Sequence, residues 1–369
     1  MKDKPSITIE NMRLENLRNQ VADKGPVLLT GHTGFKGTWM TLLLEELEIP
    51  VVGISLEPEI DSLYSRLRRI GRIPETFCDI RNFDEVQKFV NKHEPVALIH
   101  MAAQPLVLES YRCPIETFET NVLGTVNLLQ ATSLSAGFKA GVMVTTDKVY
   151  RNNDMSRRFQ ETDPLEGKDP YSASKVAAEA AISAWRQISK VNAGPKYIAV
   201  RAGNVIGGGD MSKNRLIPDL VKGFSANSEI EIRNPHSTRP WQHVLDPIWG
   251  YLLALEELLS NSLDEPLNFG PLEKSLTVSQ VCEIATSSWP TPTKITFHET
   301  ESGMEANALE LDSSQASKVL NWQPSWSQQE AIQRTFEWWS DVLIRKIAPE
   351  EACKKDIDEF TSQHEEGSK

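Results

Sequence analysis

The chain has 369 residues, 40% of them hydrophobic and 24% charged, with a formal net charge of −12. That length allows one large domain or two interleaved ones, and the acidic balance argues against a protein that coats nucleic acid, which needs a basic face. The seven histidines are scattered and the four cysteines (Cys78, Cys113, Cys282, Cys353) form no C-x-x-C pair. Neither a metal centre nor a disulfide frame is expected, and the thiols read as reduced in a cytoplasmic protein.

Residues 1–24 contain no apolar signal-peptide core and read as an amphipathic extension before the first strand. No apolar run approaches the ~20 residues of a membrane span. From 25 to 205, short apolar runs alternate with longer amphipathic ones. Strands are expected at 27–30, 50–55, 76–78, 97–100, 141–145 and 197–201. Helices are expected at 38–47, 61–69, 83–92, 114–136 and 171–190. Repeated βα units predict an α/β fold, a Rossmann-type doubly wound parallel sheet with ligands outside the carboxyl ends of its strands. From 206 to 345 the alternation gives way to a smaller mixed α/β region, interleaved with the first, that would bind substrate. It starts with a flexible loop, Gly207 to Asp210. An edge strand at 230–233, a helix at 247–259, and further pieces at 267–270, 277–288 and 295–297 follow. Trp322, Trp326, Trp338 and Trp339 are expected in its core. Residues 346–369 read as a polar tail, frayed or disordered.

The first chemical signal lies between Val27 and Met40. A short apolar run stops at Gly31, Gly34 and Gly37, spaced G-x-x-G-x-x-G, and a helix-compatible run follows. Gly31 permits a sharp turn, Gly34 permits close approach of a pyrophosphate, and Gly37 permits tight packing of helix on strand. The helix N-terminus would then face the phosphate. An ordinary strand–turn–helix corner would carry the same glycines.

The second signal is Tyr171 and Lys175, one helical turn apart on one face. An ammonium near a phenol favours the phenolate, which could take a proton from a sugar hydroxyl as hydride leaves its carbon. By itself, Tyr-x-x-x-Lys also describes many helix surfaces. The third signal is the run Thr145 to Tyr150, where an apolar strand ends in hydroxyl, carboxyl and amine groups. Buried, these must be paired or used; a capped strand end is the plainer alternative.

Together the glycine motif, Thr146 and the Tyr171/Lys175 pair resemble the extended short-chain dehydrogenase/reductase superfamily. Six blocks in order, covering residues 25 to 340, resemble its CDP-glucose 4,6-dehydratase branch. They are Gly31-His-Thr-Gly-Phe-Lys-Gly37, His100-Met-Ala-Ala-Gln-Pro-Leu106, Thr146-Asp-Lys148, Asp169-Pro-Tyr-Ser-Ala-Ser-Lys175, Arg201-Ala-Gly-Asn-Val-Ile-Gly-Gly-Gly-Asp210 and Thr238-Arg-Pro-Trp-Gln-His243. The resemblance implies an NAD-dependent lyase that oxidises a nucleotide sugar at C4, eliminates water across C5 and C6, and returns the hydride to C6. A 4-epimerase or reductase, or a dehydratase of a GDP-, UDP- or dTDP-linked sugar, shares the same core.

The resemblance also implies roles. Tyr171 would remove the hydroxyl proton, with Thr146 on the same oxygen and Lys175 on the nicotinamide ribose. Asp147 would be the acid for the C6 hydroxyl. Lys148, where many relatives carry Glu, would be the base at C5 or would orient Asp147. The cofactor would meet Gly31, Thr33, Gly34, Phe35, Lys36, Gly37, Asp79, Ile80, Ala102, Ala103 and Gln104, with Asp79 on the adenine amine and Glu57 near the adenosine ribose. Gln104, Asn204, Arg215 and Arg239 would grip the substrate, the arginines on its diphosphate. Asn121 would break its helix, and His100 and His243 would be structural or line the substrate. Two segments depart from the branch, Leu108-Glu109 and Met304-Glu305-Ala306, and both bear on which base or sugar is recognised. Pairing of the 114–136 and 171–190 helices between copies implies a homodimer or homotetramer.

Overall fold

The computed structural model describes residues 9–22, 24–152, 157–261, 263–298 and 309–365. Short apolar runs become strands here because both their faces are covered. In chain order the strands are β1 (Val27–Thr30), β2 (Val51–Ser55), β3 (Glu75–Phe77), β4 (Ala97–His100), β5 (Ala140–Val144), β6 (Lys196–Ala202), β7 (Asn204–Ile206), β8 (Ile230–Arg233), β9 (Thr238–Arg239), β10 (Trp241–His243), β11 (Leu267–Phe269), β12 (Leu276–Thr277) and β13 (Ile295–His298). Seven of them form one sheet in the order β11-β6-β5-β4-β1-β2-β3, with every neighbouring pair parallel. The connection reverses direction between β1 and β4, where Val27 pairs with both Val51 and Ala97. Such a reversal opens a crevice past the carboxyl ends of those two strands.

The helices are α1 (Ile9–Ala22), α2 (Phe35–Glu46), α3 (Leu63–Arg66), α4 (Phe83–His93), α5 (Val107–Arg112), α6 (Pro114–Phe118), α7 (Gly124–Ser133), α8 (Pro170–Asn192), α9 (Leu216–Ser225), α10 (Leu245–Ser260), α11 (Val278–Ser287), α12 (Ser314–Leu320), α13 (Gln328–Leu343) and α14 (Pro349–Glu365). Helices α4, α7 and α8 cover one face of the sheet, and α2 and α10 the other. β11 pairs with β6, Leu267 opposite Val200, so the later region contributes a strand and a helix to the first layer. The smaller region is built from the pairs β7–β10, β9–β12 and β8–β13.

Three segments differ most from the sequence expectation, apart from the shortening of the 61–69 helix to Leu63–Arg66. The 114–136 run is not one helix: a π-helical turn at Glu119–Leu123 separates α6 from α7. Asn121 sits in that turn, its side chain bonded to the backbone of Gln104 and to Ser174 Oγ. The glycine-rich loop is packed, not loose. Trp39 Nε1 donates to Gly208 O at 2.9 Å, and the ring of Trp338 lies so close to Gly208 that a Cβ there would meet it at 2.0 Å. Of the expected C-terminal tail, Pro349–Glu365 is helix α14, because Ala352, Cys353, Ile357 and Phe360 form an apolar stripe that is 3% exposed or less; residues 366–369 lie outside the described residues. Phe360 meets Trp249 and Trp326 edge-on. The segment from Met304 to Ala306 lies outside the described residues. The four expected core tryptophans are buried.

Candidate active site

α2 begins earlier than apolar periodicity suggests, inside the glycine motif. Gly34 is its extended N-cap, and Phe35 and Lys36 form its first turn. Gly31 adopts φ +73°, and a Cβ there would lie 2.8 Å from Ala102 N. Gly37 is packed so tightly on the turn that its Cβ would lie 2.0 Å from Gly31 O. Around Gly34 only Gly31 O comes within 4 Å of such a Cβ, at 3.3 Å, so the outward side of the turn is open. First-turn N–H groups lack intrahelical partners and attract anions. Thr33 ties the turn to the end of β2 through Ser55 Oγ (2.6 Å) and Leu56 O (3.0 Å). Past β2 and β3 lies a cavity of about 470 Å³ lined by Glu57, Pro58, Ile60, Ser65, Ile70 and Phe77. An open glycine cradle with a cavity beyond the second strand fits a dinucleotide.

Other candidates around this crevice are engaged differently. Asp79 is held by Arg81, whose Nε and Nη2 donate to Oδ2 at 2.9 and 2.6 Å. Ile80 is buried against Gly124. Ala102 and Ala103 line the end of β4. The Gln104 side chain is spent within the protein, donating to Thr117 Oγ1 at 2.9 Å and accepting from Leu106 N at 2.6 Å. Phe35 points toward Gly207.

The chemical cluster forms where β5 ends against the start of α8. A capping box between Asp169 and Ser172, with Pro170 in the first turn, starts α8 so that Tyr171 faces inward, 8% exposed. Thr146 and Asp147 are buried beside it. Asp147 Oδ1 accepts from Thr146 Oγ1 at 3.0 Å and from Lys148 Nζ at 3.3 Å. Lys175 Nζ donates to Val144 O at 3.3 Å. Burial pushes the Tyr171 phenol up from its ordinary value; Lys148 opposes this first, then the Thr146 hydroxyl and, more weakly, Arg215. The spacing argument pointed to Lys175 as the group that favours the Tyr171 phenolate; of the charges that act on the phenol, Lys148 is the one that favours its ionisation most. Burial also lowers Lys175, to about 8.

Lys36 has a partner that the sequence did not suggest. The sequence suggested a phosphate contact, but its Nζ donates to Tyr251 OH at 3.2 Å. There it feels Arg215, Lys175 and Asp147, and burial brings its ammonium down to about 7. Tyr251, on α10, is fully buried and had no sequence signal. Arg215 caps α9 and reaches this cluster electrostatically, although it is also 3.5 Å from Asp210. Arg239, on β9, donates to Thr238 O, and Asn204 pairs with Trp241 across β7 and β10. His100 is a structural bridge between Thr30 Oγ1 (2.7 Å) and Thr125 Oγ1 (3.0 Å), held neutral by burial, which lowers it to about 3. His243 is likewise buried and lowered to about 3. Among the described residues no cluster of three metal-ligating side chains occurs. None of their helices is long and apolar enough to cross a membrane.

Comparison with known proteins agrees with this arrangement. Residues 28–335 match the family model described as GDP-mannose 4,6 dehydratase. The CDP-glucose 4,6-dehydratase of Salmonella typhimurium is 40% identical over 351 residues, 91% of this chain and 96% of that protein. Among solved structures, a Streptomyces venezuelae dTDP-glucose 4,6-dehydratase with NAD bound superposes with TM-score 0.74 at 23% identity, covering 85% of this chain and 96% of that one. The Thermus thermophilus UDP-glucose 4-epimerase in complex with NAD gives TM-score 0.74 at 24% identity, covering 85% and 98%. The chain belongs to the GDP-mannose 4,6 dehydratase family, the sugar-nucleotide branch of the extended short-chain dehydrogenases/reductases.

Proposed function

We propose that this protein is an NAD-dependent nucleotide-sugar 4,6-dehydratase whose substrate is CDP-glucose. The observation that carries the reading is the Asp147–Lys148 ion pair at the strand end beside Tyr171, with Asp147 buried and Lys148 half-exposed. Its relative from Salmonella typhimurium, at 40% identity, supports the choice of base and sugar. The glycine turn from Gly31 to Gly37 and Thr33 would cradle the cofactor's diphosphate, and Lys175 its nicotinamide ribose. When bound, the cofactor supplies the acceptor for the C4 hydride and the donor that returns it to C6.

Tyr171 takes the proton of the C4 hydroxyl, with the Thr146 hydroxyl on the same oxygen. The new ketone acidifies C5–H. A proton passed from Lys148 to Asp147 converts their ion pair into a neutral amine and a neutral acid. The amine takes the C5 proton as the C6–O bond breaks, and the acid protonates the departing hydroxyl, which leaves as water. Return of the C5 proton from Lys148 accompanies the reduction at C6 and leaves Lys148 neutral; the proton that the Tyr171 phenolate took from the C4 hydroxyl then passes to it, which restores the phenolate and the Asp147–Lys148 ion pair. Arg215 and Arg239, with Asn204, would hold the substrate's diphosphate.

Mass spectrometry of CDP-, dTDP-, GDP- and UDP-linked sugars incubated with enzyme and NAD tests this directly. The expected result is loss of one water from CDP-glucose, and no such loss with Asp147→Asn. A 4-epimerase needs no acid–base pair for C5 and C6. Unchanged mass with a new chromatographic epimer would therefore replace this reading by that one, as would full turnover by Asp147→Asn.

We read the enzyme as a cytoplasmic homo-oligomer. Its four cysteines are free thiols, so a soluble cell fraction is its expected place. Ile115, Phe118, Leu123, Ile188 and Val191 stand exposed along α6, the π-helical turn and α8, apolar side chains that pairing of these helices between copies would cover. Sedimentation is expected to give a dimer or tetramer; a monomer at every concentration would remove this proposal.

A further inference from the structure

We infer that Glu179, paired with Arg201, is a positioning residue that ties the helix carrying Tyr171 and Lys175 to the strand end carrying Thr146, Asp147 and Lys148. Tyr171, Lys175 and Glu179 follow each other at intervals of four along one face of α8. Glu179 is 7% exposed and Arg201 is 2% exposed. Glu179 Oε1 accepts from Thr145 Oγ1 at 2.7 Å and from Arg201 Nε at 2.8 Å, and its Oε2 accepts from Arg201 Nη2 at 2.5 Å. Arg201 Nη1 donates to Tyr150 OH at 2.7 Å and to Glu161 O at 3.1 Å, and Tyr150 OH donates to Asn268 Oδ1 at 2.7 Å.

The three proposed reacting residues 146–148 are thus bracketed. Thr145 on one side and Tyr150 on the other are both bonded to a single buried ion pair rooted in α8 and β6. Such a pair is seldom needed for stability, because well-packed apolar residues of equal volume do as well. What it supplies is direction, several charge-assisted bonds that fix two catalytic segments relative to each other.

The pair also acts on Lys175. The charged and titratable groups around that amine are Glu179 and Tyr171 on its own helix, His100 from β4 and Lys36 from α2. His100 is neutral, and Lys36 repels the ammonium. Glu179 is the group that favours it, against a burial that favours the free amine.

The inference rests on the dehydratase reading for the roles of residues 146–148, so its test includes a measurement independent of turnover. Lys175 Nζ is titrated by ¹⁵N NMR in the full-length wild type, Glu179→Gln and Thr145→Val, with Lys175→Met for assignment. The dehydration rate of CDP-glucose is followed over the same pH range. Glu179→Gln is expected to lower the Lys175 midpoint by about half a pH unit or more. The alkaline fall in rate should move to lower pH with it, since the ammonium is lost earlier. Loss of registry is expected to reduce kcat by about 10- to 100-fold. Thr145→Val removes one tether and no charge, so it should lower kcat with the midpoint unmoved. An unchanged midpoint in Glu179→Gln, or wild-type kcat in Thr145→Val, overturns the inference; the latter applies even if Glu179→Gln does not fold. A shifted midpoint in a protein that dehydrates no CDP-glucose sinks the dehydratase reading and leaves the coupling of Glu179 to Lys175 standing.

Discussion

Tyr171→Phe is expected to lower kcat for dehydration by about 10²- to 10⁴-fold, the range removed with a general acid–base group. The ring stays in place and only the phenolic oxygen is lost, so thermal unfolding should stay near that of the wild type. Burial raises the Tyr171 phenol, and the groups that ease its ionisation to the phenolate lie mainly on the neighbouring strand end: Lys148 first, then the Thr146 hydroxyl, with Arg215 further off. Cation and hydroxyl meet at the atom that must receive the C4 hydroxyl proton. Without that oxygen the remaining groups are committed elsewhere: Lys175 Nζ to Val144 O, and Asp147 Oδ1 to Thr146 and Lys148. Binding of CDP-glucose, measured by calorimetry, should change little, so the loss falls on kcat and not on KM. Activity within tenfold of wild type would move the proton acceptor elsewhere.

Gly37→Ala is expected to abolish cofactor binding and to lower the midpoint of thermal unfolding. The added methyl would lie 2.0 Å from Gly31 O and 2.7 Å from His32 Cα. Both are backbone atoms of the turn itself, so no side chain can swing aside. Overpacking of this kind costs about 1–3 kcal/mol or more, and here relief must come from lifting α2 away from β1. That displaces the first-turn N–H groups proposed to meet the diphosphate. Gly137→Ala is the matching control, because nothing lies within 4 Å of its Cβ position and its φ is not positive. Calorimetric titration with NAD and a thermal melt of both variants should separate them. Normal NAD affinity in Gly37→Ala would show that the turn does not hold the cofactor.

The C-terminal helix shows where composition misleads. Residues 349–365 are rich in Glu, Lys and Asp, which argued for a frayed tail. Yet Ala352, Cys353, Ile357 and Phe360 recur at helical spacing and sink among Trp249, Trp326 and their neighbours. The signal was present as periodicity and was outweighed by mean polarity. Gln104 shows what sequence motifs omit: its amide also bonds within the protein, to Thr117 Oγ1 and Leu106 N, partners no motif names.

What the sequence by itself determined is local and periodic. Apolar runs at the expected spacing became six sheet strands, each displaced by two residues or fewer at its ends. Three glycines specified a turn in which Gly31 and Gly37 leave no room for a side chain, and an interval of four put Tyr171 and Lys175 on one helical face. These depend on backbone geometry within a few residues, which a linear pattern carries completely. The tertiary structure alone decided that Lys36 turns to Tyr251, 215 positions away. It alone decided that Glu179 finds Arg201 and Thr145, and that Lys148, more than Lys175, opposes the burial of Tyr171. Contacts of that kind depend on where separate elements come to rest. The protonation of a buried group depends on every charge and every displaced water around it, a sum over the folded surroundings that no stretch of sequence contains.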